Sequence, residues 1–144
     1  MHALEKVRPW VDNSGYVLVI HDLVDPPRIE IHRHDQHIYA GQLLSDTGFE
    51  NQHQADQAID QVIQEGIYYS DQSRIFENDI RADSLRGMLD WLAESWESAY
   101  MTDNTHQKVE ELVDILGEGS EVVLHLISRI VKLDLTWKHP GPDL

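Results

Sequence analysis

The apolar residues change their spacing partway along the chain, and this change limits the fold more than any other feature. Up to Leu44 the spacing is that of strands. Tyr16-Val17-Leu18-Val19-Ile20 is apolar on both faces and reads as a central buried strand. Arg28 to His34 alternates, with Ile29 and Ile31 on one face and Arg28, Glu30 and His32 on the other. His37 to Leu44 reads as a third strand. Asp25-Pro26-Pro27 separates the first two, because proline has no N–H to give to a sheet interior.

From Asn51 the period becomes that of a helix. Ala55, Ala58, Ile59, Val62 and Ile63 form one stripe, with Asn51 as cap and Gly66 as stop. Asp83 or Ser84 opens a second helix, in which Leu85, Met88, Leu89, Leu92, Trp96 and Ala99 follow i, i+3, i+4, i+7 spacing. Asn104 caps a third, with Val109, Leu112, Val113 and Leu116 inward and Gly117 ending it. Ser120 opens a further helical pattern through Val123, Leu126, Ile127 and Ile130. Val131, Leu133, Leu135 and Trp137 then alternate as a strand would, so a helix to about Arg129 followed by a strand and one longer helix both fit, before a tail from His139 to Pro142. Residues 67–80 fit neither period, beyond a short edge strand at Ile67-Tyr68-Tyr69. The expected class is α+β: a small antiparallel β-meander packed by one helix, followed by a helical C-terminal half. A length of 144 residues suits a single domain, strand-rich over 1–66 and mainly helical over 67–144.

Charge narrows the function classes. Asp and Glu number 26 against 11 Lys and Arg, for a net charge of −15. Between Asp71 and Glu121, 13 acids oppose Arg74, Arg81, Arg86 and Lys108, a net of −9. Direct binding to nucleic acid is disfavoured, since it needs clustered cations to displace counterions. An anionic membrane would repel the chain, and the short apolar runs exclude a helical span. A basic protein partner would be attracted and steered. Acidity also serves plain solubility in a salty environment. No cysteine is present, so disulfides and thiolate ligands are excluded. The first ten residues lack the apolar run of a secretory signal, and a cytoplasmic location is expected.

The string His32-Arg33-His34-Asp35-Gln36-His37 holds three imidazoles in six residues. Neutral imidazole is a common ligand for zinc, nickel and copper. If Asp35-Gln36 is the turn centre, His34 pairs with His37 across the hairpin, and His32, His34 and His37 share one face. Cross-strand neighbours are then ~5 Å apart. The alternative is a solvent-facing polar hairpin, with Ile29 and Ile31 covering the core, and it is preferred. The string departs from the H-x-H-x-D-H pattern of metallo-β-lactamase-like hydrolases, because its Asp is fourth. That family is therefore excluded. His106 and Glu110 lie at i, i+4 and read as a surface helix pair. No serine sits in G-x-S-x-G, and Gly117-Glu118-Gly119-Ser120 lacks the lysine of a phosphate loop. No catalytic residue and no cofactor is assigned.

At 100° per residue, Asp83, Asp90, Glu94 and Glu97 fall on one stripe of the Ser84 helix, flanked by Trp91. An aromatic beside acids is a common make-up for an interaction surface. These residues are the expected partner-binding set. The expected function is a non-enzymatic acidic interaction module: an inhibitor, an immunity protein or a nucleic-acid mimic that binds a basic protein, such as one that handles nucleic acid. The alternatives are a structural or assembly subunit with a homo-oligomeric interface, and a small His-based metal enzyme.

Overall fold

The buried apolar residues gather into two separate cores in the computed structural model, which describes residues 3–136. The described residues divide accordingly into two compact units, one of residues 3–23, 50–76 and 128–136, the other of residues 24–49 and 77–127. Trp137 and the tail from His139 to Pro142 lie outside the described residues.

The elements run in the order α1 (Ala3–Val7), a 3-10 turn (Arg8–Trp10), β1 (Val17–Asp22), β2 (Arg28–Arg33), β3 (Gln36–Gln42), β4 (Leu44–Ser45), α2 (Glu50–Gln64), β5 (Tyr68–Ala82), α3 (Leu85–Ser95), β6 (Ala99–Tyr100), α4 (Asp103–Leu116) and β7 (Glu121–Leu135). The fold is α+β with antiparallel pairing. No helix among the described residues is long and apolar enough to cross a membrane.

In the first unit β1 pairs with β7, Val17 opposite Leu133 and Asp22 opposite Ser128. Ile59 and Val62 of α2 pack with Tyr68, Val131, Leu133 and Leu135. Gly66 ends α2 at φ 69°, a left-handed conformation that costs glycine no Cβ clash. Tyr68 donates its hydroxyl to the Leu4 carbonyl at 2.9 Å, and burial pushes its phenol pKa up.

In the second unit β2 pairs with β3 as a hairpin and with the N-terminal half of β7, Ile29 opposite Leu124. Ile29, Ile31, Val122 and Leu124 meet Met88 and Leu92 of α3 and Val109, Leu112 and Leu116 of α4 in one core. Ser84 caps α3, accepting from Gly87 N at 3.0 Å, and Thr102 caps α4, accepting from Thr105 N at 3.2 Å. Arg33 donates to the Leu116 carbonyl, which places a cation at the negative end of α4. Gly41 lets β3 approach α4: a Cβ there would lie 2.4 Å from Thr105 Oγ1.

Three expectations fail on strand structure. The first three strands do not form a meander, because β7 pairs with both β1 and β2. The first strand is not central: β1 pairs with β7 alone among the described residues, and Leu18 and Ile20 are 52% and 62% exposed. Finally, the C-terminal half is not mainly helical, since residues 68–82 and 121–135 are long strands. The helix expected from Ser120 is absent. Val122, Val123, Leu124 and Leu126 are all buried, and a strand buried on both faces gives a continuous apolar run that also satisfies helical spacing.

Candidate functional site

The hairpin turn lies one residue earlier than Asp35-Gln36. Arg33 pairs with Gln36, which puts His34 and Asp35 in the turn. His34 takes φ 51°, a left-handed value that histidine tolerates better than most residues. His32 is then directly opposite His37, and their rings stack at 3.8 Å with 4° between planes. His34 is exposed in the turn and does not share their face, which corrects the expected three-histidine set. The expected solvent-facing character also fails for His32, which is only 5% exposed.

What joins His32 is a set of residues distant in sequence. Glu30, two residues back on the same strand face, takes Nε2 of His32 at 2.8 Å on its Oε2 atom. The same oxygen takes Nε2 of His125, from β7, at 2.6 Å. Nδ1 of His125 lies 2.5 Å from Asp79 Oδ1 on β5, off the line of a hydrogen bond, so this buried nitrogen has a close anionic neighbour and no aligned acceptor. Arg81 reaches Asp79 at 3.2 Å, Glu121 at 3.0 Å and Nδ1 of His32 at 3.4 Å. Burial alone would raise the Glu30 carboxyl. The hydrogen bonds from His32 and His125, with the charges of His125 and Arg28, outweigh it and hold the pKa below its ordinary value. Donor atoms of Glu30, His32 and His37 all lie within 4.8 Å of one another, so the group has the composition and spacing of a metal-ligand set.

Glu30 is one alternation from His32, so the strand period alone could have added it. His125, Asp79 and Arg81 come from the two segments whose strands the sequence did not reveal.

A second feature lies between α3 and α4. The helices border a groove with a volume of about 710 Å³. Half-buried Leu85 and Leu89 of α3 and Val113 of α4 form its floor, and exposed Asp90, Glu110 and Asp114 form its rim. Arg86 lies 4.0 Å from Asp90 and His106 lies 3.8 Å from Glu110. Asp114 has no ion-pair partner among the described residues, so the rim stays anionic.

The expected acidic stripe is only partly one surface. Asp90 and Glu94 are exposed on α3, whereas Asp83 precedes the Ser84 cap. Glu97 lies beyond the last turn, because Trp96 already leaves helical φ and ψ. Trp91 is not a free anchor: it is half-buried against the core of the second unit. Compared with known proteins, the chain matches no family model, no curated protein and no solved structure.

Proposed function

We propose that the protein is a non-enzymatic interaction module whose α3–α4 groove receives a basic, amphipathic segment of a partner protein. The observation that carries this reading is the apolar floor of Leu85, Leu89 and Val113 beneath the rim of Asp90, Glu110 and Asp114. A helix with apolar residues on one face and Lys or Arg beside them complements both parts. Apolar contact supplies affinity, and the opposite fields supply the association rate and the choice of partner. Proteins that handle nucleic acid present such basic segments. An inhibitor, an immunity protein or a nucleic-acid mimic would use this chemistry. The same field argues against direct contact with nucleic acid or an anionic membrane.

Three synthetic helical peptides test the reading by calorimetric titration: one of Leu and Lys, one of Gln and Lys without an apolar face, and one of Leu and Glu. The Leu/Lys peptide is expected to bind, the Gln/Lys peptide more weakly and the Leu/Glu peptide not at all. Reversal of Asp90, Glu110 and Asp114 to Lys is expected to abolish binding, and Leu89→Asp to weaken it. Equal binding of Leu/Lys and Gln/Lys, or binding unchanged by the reversal, would overturn the groove reading.

One observation favours assembly as a second reading. Tyr16, Leu18 and Ile20 form an exposed apolar row at β1. A second copy related by a two-fold axis would lay its own β1 antiparallel beside this strand, the self-complementary arrangement that symmetric dimers use.

A further inference from the structure

We propose that Glu30, His32, His37 and His125 form a binding site for a first-row divalent metal ion of the zinc class, separate from the groove and using none of its residues. The first argument is convergence. Nε2 of His32 and Nε2 of His125 both approach Oε2 of Glu30, at 2.8 and 2.6 Å. A nitrogen lone pair and a carboxylate oxygen attract only when a positive atom lies between them. A proton fills each gap singly, whereas one metal ion satisfies the oxygen and both nitrogens together.

The donor set fits the ion. Imidazoles and a carboxylate suit zinc, nickel, copper or iron, and the absence of thiolates selects against softer ions. In a tetrahedral zinc site with bonds of about 2.0–2.1 Å, donor atoms stand about 3.3 Å apart. The contacts at Glu30 are tighter than this, and the 4.8 Å limit spanning Glu30, His32 and His37 is wider. Metal entry pushes the first apart and draws in His37, which is exposed and free to tilt from its stack.

The surroundings are those of a supported site. Asp79 stands 2.5 Å from the far nitrogen of His125, off the line of a hydrogen bond, and a small turn of the ring on metal binding would complete the carboxylate–histidine–metal arrangement that fixes the tautomer and raises ligand basicity. That nitrogen is buried and lacks an aligned acceptor. Ligation of His32 through Nε2 moves its ring proton to Nδ1. Arg81 then turns from the ring toward Asp79 and Glu121, which already hold it. Glu30, His32, His37 and His125 all stand on paired strands, and rigid elements hold ligand geometry better than loops.

The test uses the full chain, without a histidine tag, stripped with chelator and titrated with Zn²⁺ by calorimetry. Co²⁺ serves as a visible probe. One saturable equivalent is expected, with intense Co²⁺ absorption of a four-coordinate site that Zn²⁺ bleaches. His125→Asn and His37→Ala should each weaken binding by roughly tenfold or more, while His34→Ala should leave it unchanged. His37 is exposed, so its variant keeps the test valid if His125→Asn fails to fold. Absence of a saturable equivalent would overturn the proposal. So would equal binding by wild type and His37→Ala, or equal weakening by His34→Ala.

Discussion

Glu30 and His125 are 95 residues apart in sequence and 2.6 Å apart in space. This contact joins β2 to β7, and it exists because residues 121–125 run antiparallel to residues 28–32. Around it the protein places two further carboxylates, Asp79 and Glu121, held by Arg81. A half-buried carboxylate that keeps its charge beside two imidazoles has consequences for stability.

Glu30 governs part of the acid limb of stability. Its folded-state pKa lies below the ordinary value of 4.5. The unfolded chain therefore binds the proton first, and the stabilisation is fully present above the ordinary value. It is lost as pH falls through the lower, folded value. Urea midpoints measured from neutral pH downward should drop more steeply for wild type than for Glu30→Gln, which has nothing to protonate at this position. Parallel curves would contradict this account of the contact.

Gly41 should tolerate no side chain. The added Cβ of Gly41→Ala would meet Thr105 Oγ1 at 2.4 Å and Cγ2 at 2.7 Å. Thr105 is buried at the start of α4 and has little room to move. Overpacking of this kind costs about 1–3 kcal/mol. Thr105→Ala removes the two nearest atoms, so the double variant should recover part of the loss. A denaturant midpoint unchanged by Gly41→Ala would show that β3 and α4 stand farther apart.

The sequence made some elements plain and concealed others for identifiable reasons. The helices α2, α3 and α4 were legible because each buries one stripe and leaves the other faces polar. Ile59 and Val62, Met88 and Leu92, and Val109 and Leu112 lie where the period puts them. Gly66 and Gly117 stop their helices with positive φ, as expected of them. The first part of β7 was concealed because Val122, Val123, Leu124 and Leu126 bury both of its faces, whereas its end showed the alternation of Val131, Leu133 and Leu135. Most of β5 was concealed because it is exposed: from Asp71 to Asp79 no residue is shielded enough to impose a two-residue period. Those two strands carry His125, Asp79 and Arg81, so the candidate metal site was half visible, as His32 and His37 only. The error at His34 was a one-residue shift of the turn, which moves a side chain to the other face or out of the ladder. On the acidic surface, Asp90 was legible as an exposed helix position. Its partners across the groove, Glu110 and Asp114, required knowledge of which helix faces α3.

Folding should not require a metal. Each unit has an apolar core of its own, and metal-dependent folding belongs to chains that lack one. Thermal unfolding in excess chelator should remain cooperative. Added Zn²⁺ should raise the midpoint by mass action, adding about 2.7 kcal/mol to the unfolding free energy when free metal is a hundred times its Kd. Loss of the cooperative transition on chelation would contradict the sufficiency of the cores.

The β1 face predicts a distinct response to salt. Two copies that each carry −15 repel one another, so any self-association should strengthen as salt screens them. Sedimentation velocity should then show a dimer growing with ionic strength in wild type and absent in Leu18→Glu, Ile20→Glu. A monomer at every salt and protein concentration would remove the assembly reading.

The most direct measurement for the groove is the association rate of the Leu/Lys peptide at low and high salt. It should be made for wild type and for the Asp90, Glu110, Asp114 reversal to Lys. Opposite fields accelerate encounter and are screened beyond about 8 Å at physiological ionic strength. The wild-type rate should fall steeply with salt, and the reversal should already be slow at low salt. The reversal should also keep or slightly raise the unfolding midpoint, because it relieves repulsion within an acidic chain, so lost folding cannot imitate the result. Association rates equal across both proteins and both salt concentrations would contradict the claim that this groove selects a basic partner.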